Sequence, residues 1–255
     1  MKPLLRPFLR LLPKQQQLYV RQWARAVRNR GKARQFLGEG RVCACCGAHW
    51  KEYMPAGDPV RPGEICLKCG CGKRQRLFTL FWKKRIKPGK KRVLHFAPEV
   101  CLTRVMRADT AVEYMSVDLE PTFALMQADI TSLPYSDRTY DVVVCSHVLE
   151  HVPDDAMAMR ELFRVLRPGG QALVMVPQDF DRGATYENPA AVTPEDRYRE
   201  FGQDDHVRIY GTDFVGRLQA AGFSVEAVWT KDIATAEEVA LGDLRDDVIY
   251  VCTRP

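Results

Sequence analysis

"VLHFAPE", residues 93–99, decides how the rest of the chain is read. Four apolar or aromatic residues in five, with a small residue and a proline behind them, read as a buried β-strand and the turn after it. A nucleotide-binding protein would carry a glycine-rich turn at this point, and this stretch has no glycine. Three readings follow: a cofactor site built another way, a site that has been lost, or an ordinary buried strand.

Downstream, the pattern repeats. "EYMSVD" (113–118) and "DVVVCS" (141–146) read as further strands, followed by a helix over 154–167, "RPGG" (167–170) and "QALVMVP" (171–177). "FSVEAVWT" (223–230) and "DVIYVCT" (247–253) supply two late strands. Apolar strands alternating with helices predict an α/β domain, a parallel sheet covered on both faces. Such sheets bind ligands beyond the carboxyl ends of their strands. Ala97, Pro98 and Glu99 follow the first strand, and Asp118 lies 21 residues beyond Ala97, the usual distance for an acid that accepts both hydroxyls of a ribose. Leu119 stands beside it, Asp129 and Ile130 can frame an adenine, and Ser146 and His147 close the fourth strand.

Here the sequence resembles class I S-adenosylmethionine-dependent methyltransferases. "VDLEP" (117–121), "ADITSLPYSDRTYDVVVCSHVLEHV" (128–152), "ELFRVLRPGGQALVMVP" (161–177) and "FGQDDHVRIYG" (201–211) carry the resemblance, which spans residues 93 to about 223. More narrowly it is similar to a bacterial branch in which "LHFAPE" replaces the glycine-rich turn and a two-knuckle cysteine module precedes the domain. The resemblance implies a Rossmann-like seven-stranded sheet whose last strand is antiparallel, with S-adenosylmethionine as cofactor. Against the family's common D-x-G-x-G, His95 stands in the acid's place, Ala97 in the first glycine's and Glu99 in the second's. The branch's pattern implies an altered cofactor site, in which Ala97 still permits close backbone approach and Glu99 contacts the cofactor's amino group.

Methyl transfer is an in-line displacement, accelerated by alignment and by a base for the acceptor's proton. His147, directly after the fourth strand, is expected near the methionine portion of the cofactor, and His151 is open to a capping or packing role. His206, in "FGQDDHVRIYG" behind a patternless stretch at 179–199, is the expected general base. Arg208 is expected to position an anionic substrate or to organise the loop; the alternative for this whole loop is a surface segment locked by its own salt bridges.

Six of the nine cysteines fall between Cys43 and Cys71, the pattern of a metal site in a reducing compartment. Cys43 with Cys46 and Cys66 with Cys69 form two C-x-x-C-G knuckles separated by 19 residues, a spacing suited to structural Zn²⁺. Paired thiolates face one ion, while Gly47 and Gly70 let backbone N–H groups approach the sulfurs. Lys68, Lys73 and Arg74 are expected to favour the thiolates. A Cys45–Cys71 role or an iron–sulfur cluster is the competing reading.

Charge divides the chain. Residues 1–92 hold 24 Lys and Arg against 4 Asp and Glu, whereas 93–255 hold 14 against 28. A basic front joined to an acidic body suggests an anionic partner or attraction between the halves. The expected organisation is a basic helical arm (1–41, with a helix over 15–30), a zinc-knuckle module (42–72), a basic helix and linker (73–92) and the methyltransferase domain (93–255). No transmembrane helix and no secretory leader are expected, so the protein is expected in the cytoplasm, with the arm able to lie on the membrane's inner face or against a partner enzyme. The acceptor is expected to be a hydroxyl or amine of a small molecule, glycan or lipid-linked intermediate. The rival readings are an RNA methyltransferase, its basic front gripping phosphates while Trp50, Tyr53, Phe78, Phe81 and Trp82 stack on bases, and a non-catalytic interaction protein that keeps the fold.

Overall fold

The computed structural model describes residues 34–57, 59–87, 89–120 and 123–255. Most of the basic arm, including the helix expected over 15–30, lies outside the described residues. The chain forms two compact units. One combines the described residues before Gly89 with Glu99–Ala108 and Trp229–Asp247; the other comprises Gly89–Pro98, Asp109–Val228 and Val248–Pro255. The boundary between them therefore does not fall once, at 92, as the sequence suggested: the chain crosses between the units several times.

The first unit holds two small antiparallel hairpins. β1 (Arg41–Val42) pairs with β2 (His49–Trp50), and β3 (Met54–Ala56) with β4 (Arg61–Ile65). Against them lies α1 (Lys73–Arg85), which buries Leu77, Phe78, Phe81 and Trp82. The same unit takes in α2 (Val100–Arg107). Trp50, Tyr53, Phe78, Phe81 and Trp82 are all at least nine-tenths buried, so the aromatics expected to stack on RNA bases form this unit's core.

At its centre is a guanidinium. Arg76 is fully buried and donates to the carbonyls of Gly63 (3.0 Å), Glu64 (3.0 Å), Cys71 (3.3 Å) and Gly242 (2.6 Å). It also lies 3.8 Å from the centroid of the Tyr53 ring. Arginine suits this position because its fork of donors can meet several backbone acceptors at once.

The second unit is built on a seven-stranded sheet: β5 (Lys91–Phe96), β6 (Val112–Asp118), β7 (Met126–Gln127), β8 (Tyr140–Ser146), β9 (Leu166–Met175), β12 (Ser224–Trp229) and β13 (Val248–Thr253). Their order across the sheet is β12-β13-β9-β8-β5-β6-β7. β5 is parallel to both β6 and β8, β8 is parallel to β9, and the last strand, β13, runs antiparallel to β9. Val93, Leu94, Phe96 and Val142–Cys145 are buried, as the continuous apolar runs of a two-face-covered sheet require. The sheet matches the expected fold class.

Two local expectations are corrected. "RPGG" does not end before β9 but lies inside it, where the ladder with β8 slips between Tyr140↔Leu166 and Val142↔Gln171 and Gly169 takes φ 76°. The patternless stretch at 179–199 contains β10 (Tyr186–Glu187), which pairs with β11 (Arg208–Ile209), and enters α4 (Pro194–Phe201). Thr193 caps that helix by accepting from Asp196 N at 3.1 Å, and Pro194 opens it.

Replacing Arg76 by Met leaves four carbonyls without their donor while keeping an aliphatic stem. Urea unfolding followed by tryptophan fluorescence should show a loss of about 3 kcal/mol or more. A change below about 0.5 kcal/mol would mean water already serves those carbonyls.

Candidate active site and cysteine cluster

β5 is where the strand order reverses. β6 lies on one side of it and β8 on the other, so the connections leaving β5 and β8 diverge and a crevice opens beyond their carboxyl ends. That crevice measures about 940 Å³. Phe96 and Ala97, Asp118 and Leu119, Asp129 and Ile130, and His147 line it from four successive strand ends, with His151, Met157 and Asp205 completing the wall.

The backbone turns that open it are unusual. Ala97 has φ 45° and His147 φ 53°, both in the left-handed region that glycine normally occupies. Each is held by a sheet bond, from Ala97 N to Val117 O (2.9 Å) and from His147 N to Met175 O (2.8 Å). The chain thus keeps the glycine conformation at 97 without the glycine. The small methyl of alanine limits the cost and keeps the backbone open to a ligand.

Asp118 ends β6 and is half-buried. Burial raises its pKa, and the backbone N–H groups of Glu120 and Leu119 pull the other way. Asp129 binds Thr131 through one oxygen, accepting from Thr131 N (2.8 Å) and Oγ1 (2.7 Å). The loop behind it is pinned by Arg164, which pairs with Glu161 (2.6 Å) and donates to the carbonyls of Tyr135 (2.7 Å) and Leu133 (3.1 Å). Ile130 is buried at the crevice wall, while Leu119 is 63% exposed and presents an apolar face at the mouth.

Other expected residues lie elsewhere. His95 is fully buried within the sheet, its Nδ1 2.9 Å from Tyr114 Oη, and does not line the crevice. Ser146 is buried at the end of β8 and does not line it either. Glu99 belongs to the first unit, where its carboxylate accepts from Arg74 Nη2 (3.0 Å) and Gln75 Nε2 (2.9 Å). Its charge is therefore committed to α1.

His206 is 6% exposed and does not reach the crevice wall; burial lowers its pKa. Arg208 is 3% exposed, and every described contact of its guanidinium is internal. It donates to the carbonyls of Leu149 (2.8 Å), Val152 and Pro153 (2.9 Å) and pairs with Glu187 (2.7 Å). Its guanidinium thus holds the backbone of crevice residues 152 and 153. Asp155, buried beside it, receives Tyr210 Oη (2.8 Å) and a two-pronged contact from Arg217 (2.6 and 2.8 Å).

One residue escaped the sequence reading altogether. Glu150, in the short 3-10 helix Leu149–His151, is 1% exposed, and its Oε1 lies 3.2 Å from His147 Nδ1. The signal was present in "SHVLEH", where residues three apart on a helical turn share a face.

In the first unit the two knuckles adopt the same turn. Gly47 N bonds to Cys43 O and Gly70 N to Cys66 O, both at 2.8 Å, with φ 67° and 75° at the two glycines. The four sulfurs mutually within 4.8 Å are those of Cys43, Cys66, Cys69 and Cys71. Cys46, expected in the set, lies 3.7 Å from Cys66, while Cys71 approaches Cys43 to 3.3 Å. Cys45 turns to α1, 3.1 Å from Thr79 Oγ1. Two cations expected to favour the thiolates are paired with acids: Lys73 with Asp243 (3.5 Å) and Arg74 with Glu99.

Comparison with known proteins agrees with this architecture. The sequence profile of the methyltransferase domain family Methyltransf_11 matches residues 67–174. A 37.1 kDa protein of transposon TN4556 from Streptomyces fradiae is 33% identical over 181 residues, which cover 70% of this chain and 49% of that protein. The 27-O-demethylrifamycin SV methyltransferase of Amycolatopsis mediterranei is 26% identical over 175 residues, 66% of this chain and 57% of that enzyme. The chain thus spans about half the length of these relatives. Among solved structures, the YcgJ protein of Bacillus subtilis superposes with a TM-score of 0.52 at 18% identity, over 71% of this chain and 99% of that one. The cyclase SpnF gives 0.50, also at 18% identity, over 71% and 81%. The sheet thus has the fold of these structures, and residues 67–174 are similar to the methyltransferase domain family. The presence of a cyclase on the same fold means that the reaction has to be argued from the site.

The left-handed turn yields a test. Ala97→Gly should stabilise the protein by about 0.5–1 kcal/mol in urea unfolding, because relief of the turn exceeds the added chain entropy. Ala97→Val should instead cost about 2 kcal/mol, since a β-branched side chain tolerates positive φ poorly. Equal midpoints for the two variants would remove the strained turn.

Proposed function

We propose that the chain transfers the methyl group of S-adenosylmethionine to a hydroxyl or amine of a small molecule, glycan or lipid-linked intermediate. The observation that carries this reading is the convergence of Asp118, Asp129, Ile130 and His147 from neighbouring strand ends on one crevice at the switch point. The donors fit the cofactor: an acid at the end of β6 for a ribose, and a polar and apolar pair for a purine. When bound, the cofactor supplies an electrophilic methyl on a sulfonium sulfur.

In this reading Asp118 accepts from both ribose hydroxyls, and Leu119 covers the sugar and base. Asp129 receives the adenine amino group through the oxygen that Thr131 leaves open, and Ile130 packs on the ring. The backbone at Ala97 lets the cofactor approach β5. His147 takes the role expected of His206, because it lines the crevice while His206 does not. Glu150, 3.2 Å from His147 Nδ1, orients the imidazole toward the acceptor's proton. The named substrates of two relatives, 27-O-demethylrifamycin SV and 2-phytyl-1,4-naphtoquinone, are organic small molecules, and their class supports the one chosen here. The RNA reading loses its stacking residues to the core of the cysteine unit.

The cysteine cluster is proposed to hold one structural Zn²⁺. Four sulfurs within 4.8 Å of one another, on two matching turns, fit a closed tetrahedral site that leaves no position for substrate.

Asp118→Ala should weaken S-adenosylmethionine binding at least tenfold in calorimetry without lowering Tm. Unchanged affinity would refute this placement of the ribose. For the metal, the protein should carry one zinc per chain by elemental analysis. Cys71→Ser should lose it more readily to a chelator than Cys46→Ser; the reverse order would restore the set expected from the knuckles.

A further inference from the structure

Beside the crevice lies a cluster of which the methyl-transfer reading uses Glu150 alone. One ligand atom each from Glu150, His151 and His206 lie within 4.8 Å of one another. Glu150 is 1% exposed, and neither of its carboxylate oxygens accepts an aligned hydrogen bond among the described residues. Its neighbour His147 Nδ1, at 3.2 Å, offers a positive charge only when the imidazole is protonated. A buried carboxylate in that state calls for a cation. The rings of His151 and His206 meet edge to face, with centroids 4.7 Å apart.

We infer that Glu150, His151 and His206 bind a divalent metal ion distinct from the cysteine cluster. Two imidazoles and one carboxylate form a borderline donor set, suited to Mn²⁺, Fe²⁺, Co²⁺ or Zn²⁺. Three protein ligands leave coordination positions open. His151 already has the outer partner that ligating imidazoles use: its Nδ1 stands 3.2 Å from the carbonyl oxygen of Asp205 and 3.4 Å from Oδ2. That contact fixes the ring and leaves Nε2 for the ion. The backbone holds the set together, since Val207 N donates to Glu150 O at 2.9 Å and Arg208 donates to Leu149 O at 2.8 Å. Residues 149–151 are thereby tied to 206–208.

The site also narrows the acceptor, a step that rests on the methyl-transfer reading. His151 and Asp205 line the crevice, so an ion held here faces the same space as the cofactor. The acceptor is then an oxygen nucleophile, a hydroxyl that the ion binds and acidifies. Its proton passes to His147. The O–C bond forms as the C–S bond of the methyl donor breaks, and the electron pair stays on sulfur.

The test titrates MnCl₂ into the zinc-loaded full-length protein and follows the free Mn²⁺ signal by electron paramagnetic resonance. One bound Mn²⁺ per chain is expected. His151→Asn and His206→Asn should each weaken it tenfold or more, and Glu150→Gln should abolish it. Because Glu150 and His206 are buried, circular dichroism and Tm are recorded for every variant; the half-exposed His151→Asn decides the matter if the others do not fold. Absence of bound Mn²⁺, or equal binding by the wild type and His151→Asn, overturns the site. Calorimetry with S-adenosylmethionine on the same samples separates the two readings. Cofactor binding without Mn²⁺ binding removes the metal site alone. Mn²⁺ binding without cofactor binding leaves the metal site and removes methyl transfer, and with it the oxygen acceptor.

Discussion

The reversal of strand order beside β5 is the constraint on which the site depends. In a parallel sheet, neighbouring connections that leave on the same side close over the strand ends, whereas connections that leave on opposite sides part. β5 pairs with β6 on one flank and β8 on the other, and both β5 and β8 end in a left-handed residue. Those turns aim the backbone away from the gap between them. Without them the chain would run straight on into the space where Asp118, Asp129 and His147 converge.

Two arginines, Arg164 and the buried Arg208, hold the walls of that space. Arg164 ties the loop behind Asp129 to α3 (Asp155–Val165), and Arg208 ties the segment around Val152 and Pro153 to β11. Each donates to several backbone carbonyls, Arg164 to those of Leu133 and Tyr135 and Arg208 to those of Leu149, Val152 and Pro153. A lysine in either place could satisfy fewer of them. Loops near an active edge are usually mobile, but these are fixed by donors that would be costly to strip of their acceptors. The crevice is in this sense preorganised before any ligand arrives, which is what a transfer reaction requires of its positioning groups.

The cysteine unit uses the same physics. Arg76 gathers four carbonyls, from Gly63, Glu64, Cys71 and Gly242, and so joins β4, the second knuckle and the segment near residue 242. Its guanidinium also lies over the Tyr53 ring, while Phe78 packs with Phe81 and Trp82 on α1. This explains why a front segment with so many cations also holds Trp50, Tyr53, Phe78, Phe81 and Trp82: they are the core of a small unit, where the pattern alone allowed a stacking surface.

What the sequence determined by itself was whatever repeats locally. Apolar runs at 93–96 and 141–146 specified strands buried on both faces, the spacing from Ala97 to Asp118 singled out an acid that lines the crevice, and Cys-x-x-Cys-Gly specified two matching turns. Even α4, which was missed, had its signal in Thr193-Pro194; it lacked an apolar stripe because Phe201 is its one buried residue. Tertiary structure decided which polar side chains face which space. His206 and His147 are both histidines near a sheet edge, yet one is buried behind the wall and the other lines it. Arg208 became a backbone clamp, Glu99 a partner of α1, and Glu150 a buried acid among imidazoles. A side chain's direction and its partners come from contacts between residues distant in sequence, and periodicity carries no information about those.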